Sequence, residues 1–125
     1  MINLDGGNVV NWYDRAIVTD RIFQENPEYS NKFQLIEELE KLLEVEVIVI
    51  PQIKTDFTGH ADGMVRFINK SALIGNSLSQ EYVYWRKGMT KILKDHNIDY
   101  IDIPFIEHKD KKNPETAVGC YINFL

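Results

Sequence analysis

The feature that most constrains this chain is an order of segments that occurs twice. Val9-Val10, after Gly6-Gly7, starts a short apolar strand, and Asn11 to Asp14 has turn character. Ala16 to Thr19 is a second extended segment. Asn26-Pro27 is a break. Ser30 then stands as an N-cap before Phe33, Ile36, Leu39 and Leu43, which recur at three- and four-residue spacing opposite Glu37, Glu38, Glu40 and Lys41. The spacing predicts a helix over 31–44. Glu46 to Pro51 is a Val- and Ile-rich strand suited to burial on both faces. The second half runs the same way. Met64 to Asn69 and Ala72 to Ile74 are strands, and Ser79 caps a helix to about Asn97 whose apolar stripe is Tyr82, Trp85, Met89, Ile92 and Leu93. Tyr100 to Pro104 closes the set.

The expected fold is therefore α/β, with two ββαβ modules about 55 residues apart, a period typical of arrays of supersecondary units. Module one covers about residues 4–51 and module two about 60–104. Residues 117–125, through Val118 to Phe124, offer the first strand of a third. A unit that cannot finish burying its apolar face needs a neighbour, so the chain is expected to be a piece of something longer or to oligomerise.

Composition narrows the function. With 125 residues and 44% hydrophobic content, the chain has enough apolar matter for a core. No stretch approaches the roughly 20 apolar residues of a membrane helix, and the N-terminus has no signal-like basic and apolar regions. Cytoplasm is the default location, with export open if the natural N-terminus has been cut away. A net charge of −5 argues against nucleic acid and anionic membranes as partners. The run Lys109 to Lys112, interrupted by Asp110 and next to Asn113-Pro114, suits a solvated loop. The single Cys120 excludes an internal disulfide and a multi-cysteine zinc site within one chain.

The densest polar cluster is Asp56 to Phe67, leading into the Met64 strand. If His60 and Asp62 are two apart on extended chain they share a face, with Met64 and Arg66 further along. A histidine beside a carboxylate can move protons, and the carboxylate can accept from a cation held next to it. An isolated H-x-D in a loop is nevertheless more often a surface turn with a satisfied histidine. His96, at a helix C-terminus, suits capping. His108 sits among charges. Trp12, Trp85 and the Tyr82-Tyr84 pair suit packing rather than a ligand cage.

The string Asp56-x-Thr58-Gly59-His60-x-Asp62-x-x-x-Arg66-Phe67 resembles the H-x-D signature of the agmatine deiminase and Porphyromonas-type peptidylarginine deiminase family. Leu4-Asp5-Gly6-Gly7-Asn8, Thr19-Asp20 with Glu25-Asn26-Pro27, and Tyr121-Ile122-Asn123-Phe124 resemble further family segments, in the family's order. The resemblance implies a five-bladed α/β propeller of ββαβ modules. It also implies covalent hydrolysis of a guanidinium group, on agmatine or an arginine residue, with no cofactor and no metal. His60 would take the acid/base role and Asp62 one guanidinium-gripping role. Asn123 would be a lesser substrate contact, and Asp5 an acidic group near the pocket. A planar cation is well held by carboxylates, and its weakly electrophilic carbon needs a nucleophile such as thiolate.

The family's W-x-R-D segment would lie before Met1, and its Gly-rich segment with the nucleophilic cysteine well after Leu125. Cys120 occupies a position the family does not use as nucleophile, and a single cysteine in an apolar strand is usually a small buried hydrophobe. The chain alone is therefore expected not to turn over substrate. Two alternatives stand beside the deiminase fragment. One is a stand-alone non-catalytic remnant acting as a binding or assembly module. The other is a regulatory α/β domain with an incidental H-x-D. The first two readings expect a homo-oligomer or the remainder of a propeller as partner, because a propeller cut between blades exposes sheet edges.

Overall fold

A computed structural model describes residues 2–55 and 58–103. Two three-stranded sheets are present. The first joins β1 (Val10–Trp12), β2 (Arg15–Thr19) and β3 (Glu46–Ile50). The second joins β4 (Val65–Asn69), β5 (Ala72–Asn76) and β6 (Asp99–Ile103). In each, an antiparallel pair is followed by helix and then by a parallel strand. The helices are the short α1 (Arg21–Glu25), α2 (Lys32–Leu43) and α3 (Val83–Asp95). The parallel pairings have the same register in both sheets: Arg15 faces Glu46 as Ala72 faces Asp99. The expected first strand of a third module lies outside the described residues.

Side-chain alternation decides what each face of the first sheet meets. Val18, Val47 and Val49 pack with Ile22 of α1 and Leu35 and Leu39 of α2. Ile17, Ile48 and Ile50 point the other way, into a core with Trp85, Met89 and Leu93 of α3 and Val65 and Leu73 of the second sheet. One sheet thus has helices on both faces, as the continuous apolar run of β3 predicts.

Helix boundaries differ from the sequence expectation for local reasons. The N-cap of α2 is Asn31, not Ser30: its side-chain oxygen accepts from Phe33 N at 2.9 Å and Gln34 N at 3.3 Å. The buried stripe is centred on Leu35 and Leu39, with Ile36 and Leu43 beside it, while Phe33 is exposed. Phe33 lies two residues, about 200°, around the helix from Leu35. Ser79 does not cap α3. It sits in a 3-10 turn, Leu78–Gln80, with its hydroxyl 3.0 Å from that of Ser77, and α3 starts at Val83. Trp85 is fully buried and donates from Nε1 to Pro51 O at 2.8 Å. Gly88 lets Pro51 approach, since a Cβ there would lie 2.8 Å from the proline ring. Tyr82 and Tyr84 are not core residues: their rings stack 5.8 Å apart on the surface, and their hydroxyls meet Thr55 and Lys54 N. His96 occupies the C-cap of α3, where its Nδ1 lies 3.3 Å from a Glu46 carboxylate oxygen. No helix among the described residues is long and apolar enough to cross a membrane.

Candidate functional site

The two modules enter their first strands in the same way. Asp5 and His60 are extended residues, each followed by a 3-10 turn, Gly6–Asn8 in one case and Ala61–Gly63 in the other. The turns are closed alike, by Val9 N to Gly6 O and Met64 N to Ala61 O. Asp5 and His60 are therefore equivalent positions, as are Gly7 and Asp62. The two turns pack against each other, so the polar groups of both modules meet at one place.

His60 Nε2 lies 3.4 Å from Asp5 Oδ2, with the imidazole largely covered and Asp5 open to solvent. The other side of the ring lies over Gly7. A Cβ at that glycine would be 2.7 Å from His60 Nδ1 and 3.2 Å from Asp62 Oδ2. Glycine is what lets both side chains settle on this turn. The structure thus brings together His60, Asp62 and Asp5. It corrects the reason given for the first pair: Asp62 stands in a 3-10 turn, not two residues along a strand from His60. Met64 and Arg66 do not join them. Met64 is buried in the core and Arg66 faces outward from β4. Asn123, Cys120 and Asp56 lie outside the described residues.

Two charged groups at the site have no role assigned by sequence alone. Glu25, at the end of α1, has a carboxylate oxygen that, with those of Asp5 and His60 Nε2 or Nδ1, falls in a group of atoms all within 4.8 Å of one another. Such a set could hold a metal ion, although one Glu25 oxygen already accepts from Arg21 Nε at 2.9 Å. Asn26 brings Glu25 here. Its buried amide donates to Ile22 O and Asn3 O and accepts from Asn3 N at 2.7 Å, tying the N-terminal segment to the end of α1. Asn3, Leu4, Asp5 and Glu25 line a shallow depression open to solvent. Arg21 also packs on Gly59, the residue before His60, which has a positive φ of 62° and whose Cβ would collide with Gln52 Oε1 at 2.6 Å. The resemblance points to Glu25-Asn26-Pro27 only as a segment. The proximity of Glu25 to His60 has no local signal, because 35 residues separate them in sequence.

Three carboxylates, Asp5, Glu25 and Asp62, gather around one imidazole and one guanidinium. The excess of acid favours a cation, and a histidine in contact with carboxylate can relay protons.

This is the fold of guanidine-modifying deiminases over part of their length. The chain superposes on C. jejuni agmatine deiminase with a TM-score of 0.73 at 20% identity, covering 96% of this chain and 38% of that one. It superposes on a protein from Porphyromonas gingivalis described as an arginine deiminase with a TM-score of 0.76 at 19% identity, covering 98% and 40%. A third structure, described as a peptidyl-arginine deiminase, gives 0.74 at 20% identity, covering 98% and 41%. The chain spans about two fifths of the length of these proteins. No family model and no curated protein matches the sequence.

Proposed function

We propose that the chain is part of a deiminase acting on the guanidinium group of agmatine or an arginine residue, and that it contributes the acid/base and gripping side of the site. The carrying observation is the convergence of His60 and Asp62 of the second module on Gly7 of the first, with Asp5 of the first module against the imidazole. On this reading Asp62 and Asp5 accept N–H donors of the planar cation, and His60 moves protons to departing ammonia and from attacking water. Asn123 adds a substrate contact. The thiolate of the covalent route is not Cys120, so these 125 residues bind without turning over. The two sheets are blades of a five-bladed propeller, and the remaining blades, or a second copy, cover the apolar face that β5 and β6 leave open.

Agmatine titrated into the whole chain, followed by NMR of the His60 imidazole, tests this. Agmatine is expected to shift the His60 signals, while butylamine, which lacks the guanidinium, does not. Asp62→Asn is expected to weaken agmatine binding by about ten- to hundredfold, the worth of a charged hydrogen bond of roughly 1.5–3 kcal/mol. An unchanged His60 spectrum at saturating agmatine sinks the reading. His60→Ala removes a largely covered ring whose polar partner, Asp5, is exposed, and is expected to cost about 1 kcal/mol or less; a loss of several kcal/mol would make the histidine a packing residue.

A further inference from the structure

We infer that Asn8 is the positioning residue of this site: its side-chain oxygen fixes the His60–Ala61 peptide, in the middle of the H-x-D, and thereby sets where His60 and Asp62 point. The inference rests on the guanidinium reading for its purpose, but its geometry needs no ligand.

Asn8 is fully buried. Its Oδ1 accepts from Thr19 N at 3.0 Å and from Ala61 N at 3.2 Å, and the Thr19 hydroxyl lies 2.9 Å away. Two backbone N–H donors dictate which end of the amide faces them. Ala61 is the middle residue of the H-x-D, so its amide is the peptide bond that leaves His60. The Thr19 hydroxyl also reaches Gly59 O, at 2.7 Å, on the peptide before His60. The backbone on both sides of the histidine is thus tied to two side chains of the first module.

The repeat shows that turn closure does not require this. The position equivalent to Asn8 is Gly63, which has no side chain. There the donor equivalent to Thr19 N, Asn76 N, is accepted by backbone, Met64 O at 3.0 Å. That backbone acceptor, together with the Asn76 side-chain amide, which donates to Gly63 O at 3.4 Å, seats the second turn on its strand without a side chain at the position of Asn8. What Asn8 adds is the bond across to Ala61, 53 residues away in the other module. It does so at a cost, because Asn8 Nδ2 is buried with no partner among the described residues. A donor left unpaired in the interior fits a residue kept for its acceptor.

The test is an NMR measurement on the whole chain, the nuclear Overhauser effect between the His60 ring and the Gly7 Hα protons. Asn8→Ala is expected to abolish it and to weaken agmatine binding at least tenfold. Asn8→Asp keeps the acceptor and dispenses with the orphan donor, so it is expected to retain the Overhauser effect. Leu39→Ala, which opens a cavity in the other core, is expected to lower the melting temperature and leave the effect intact, separating positioning from general destabilisation. A wild-type Overhauser effect in Asn8→Ala, or its disappearance in Asn8→Asp, overturns the inference. Should Asn8→Ala fail to fold, Asn8→Asp decides alone: the inference stands if the His60–Gly7 effect persists and falls if it vanishes. Failure of agmatine to bind the wild type sinks the guanidinium reading, whereas the Overhauser measurements test Asn8 separately.

Discussion

The two sheets share one register and differ in what covers them. Ile17 and Ile48 of the first correspond to Ile74 and Ile101 of the second, by the matched pairings of β2 with β3 and β5 with β6. All four are isoleucines. Ile17 and Ile48 are 0% and 1% exposed, under α3, whereas Ile101 is 52% exposed and Ile74 is only half-buried. The opposite face differs too. Val18 and Val49 pack under α2, but their counterparts are Gly75 and Asp102. Burial in this fold therefore depends on which unit follows a sheet, more than on the residue a strand offers.

The sharpest way to break that comparison is to truncate the matched isoleucines. Ile48→Ala should lower unfolding free energy by about 2–5 kcal/mol, the usual cost of deleting a buried aliphatic side chain. Ile101→Ala should stay within about 0.5 kcal/mol, as for surface positions. Urea denaturation of the two variants measures both. Equal losses would mean that Ile101 is covered in solution, for instance by a second copy, and that loss should then grow with protein concentration.

The next effect concerns Gly75. A Cβ there would collide with the Tyr100 hydroxyl and lie 2.7 Å from Met64 O. The phenol fills the space that the valine side chain of the first sheet occupies at the matching position, Val18. Gly75→Ala must displace the half-buried Tyr100 ring or backbone, at a cost of about 1–3 kcal/mol. The same denaturation assay applies, and a neutral result would show that the ring swings out freely.

Much of this architecture is legible in the sequence. Helix-period spacing marks Leu39, Trp85, Met89 and Leu93 as core, and the unbroken Val-Ile run of β3 announces two covered faces. β6 is harder. Tyr100 to Pro104 is legible as a strand, but the spacing of Asp99-Tyr100-Ile101-Asp102-Ile103 does not say which of its sides is covered. In the structure Tyr100 and Ile103 are half-buried and Ile101 is exposed, because the absence of a side chain at Gly75 leaves room for the Tyr100 ring against the core, and Asp102 accepts from Leu78 N at 3.1 Å. At the site, H-x-D and Asp-Gly-Gly are visible as strings, and the resemblance joins them. That they occupy equivalent turns, and that Asn8 bonds Ala61, depends on how two modules dock, which one-dimensional spacing does not carry. Glu25 is hidden for the same reason.

The smallest effect tests whether Tyr100 belongs to the interior of the second sheet. Its hydroxyl donates to Asn76 O at 2.6 Å. Burial holds the phenol protonated well above its ordinary value of 10.0, with the charges of Asp102 and Glu81 adding to the shift. In the unfolded chain the same phenol ionises near that ordinary value. The folded state then keeps a proton that the unfolded state loses, so this group's contribution is fully present below about pH 10 and falls as pH rises beyond it. Tyr100→Phe gives up one hydrogen bond, about 1 kcal/mol at neutral pH, and should remove that part of the alkaline loss. Urea midpoints at pH 8 and above pH 10 should therefore converge for the two proteins as pH rises. Parallel curves would place the Tyr100 hydroxyl in water, and with it the face of the sheet that Gly75 was left bare to receive.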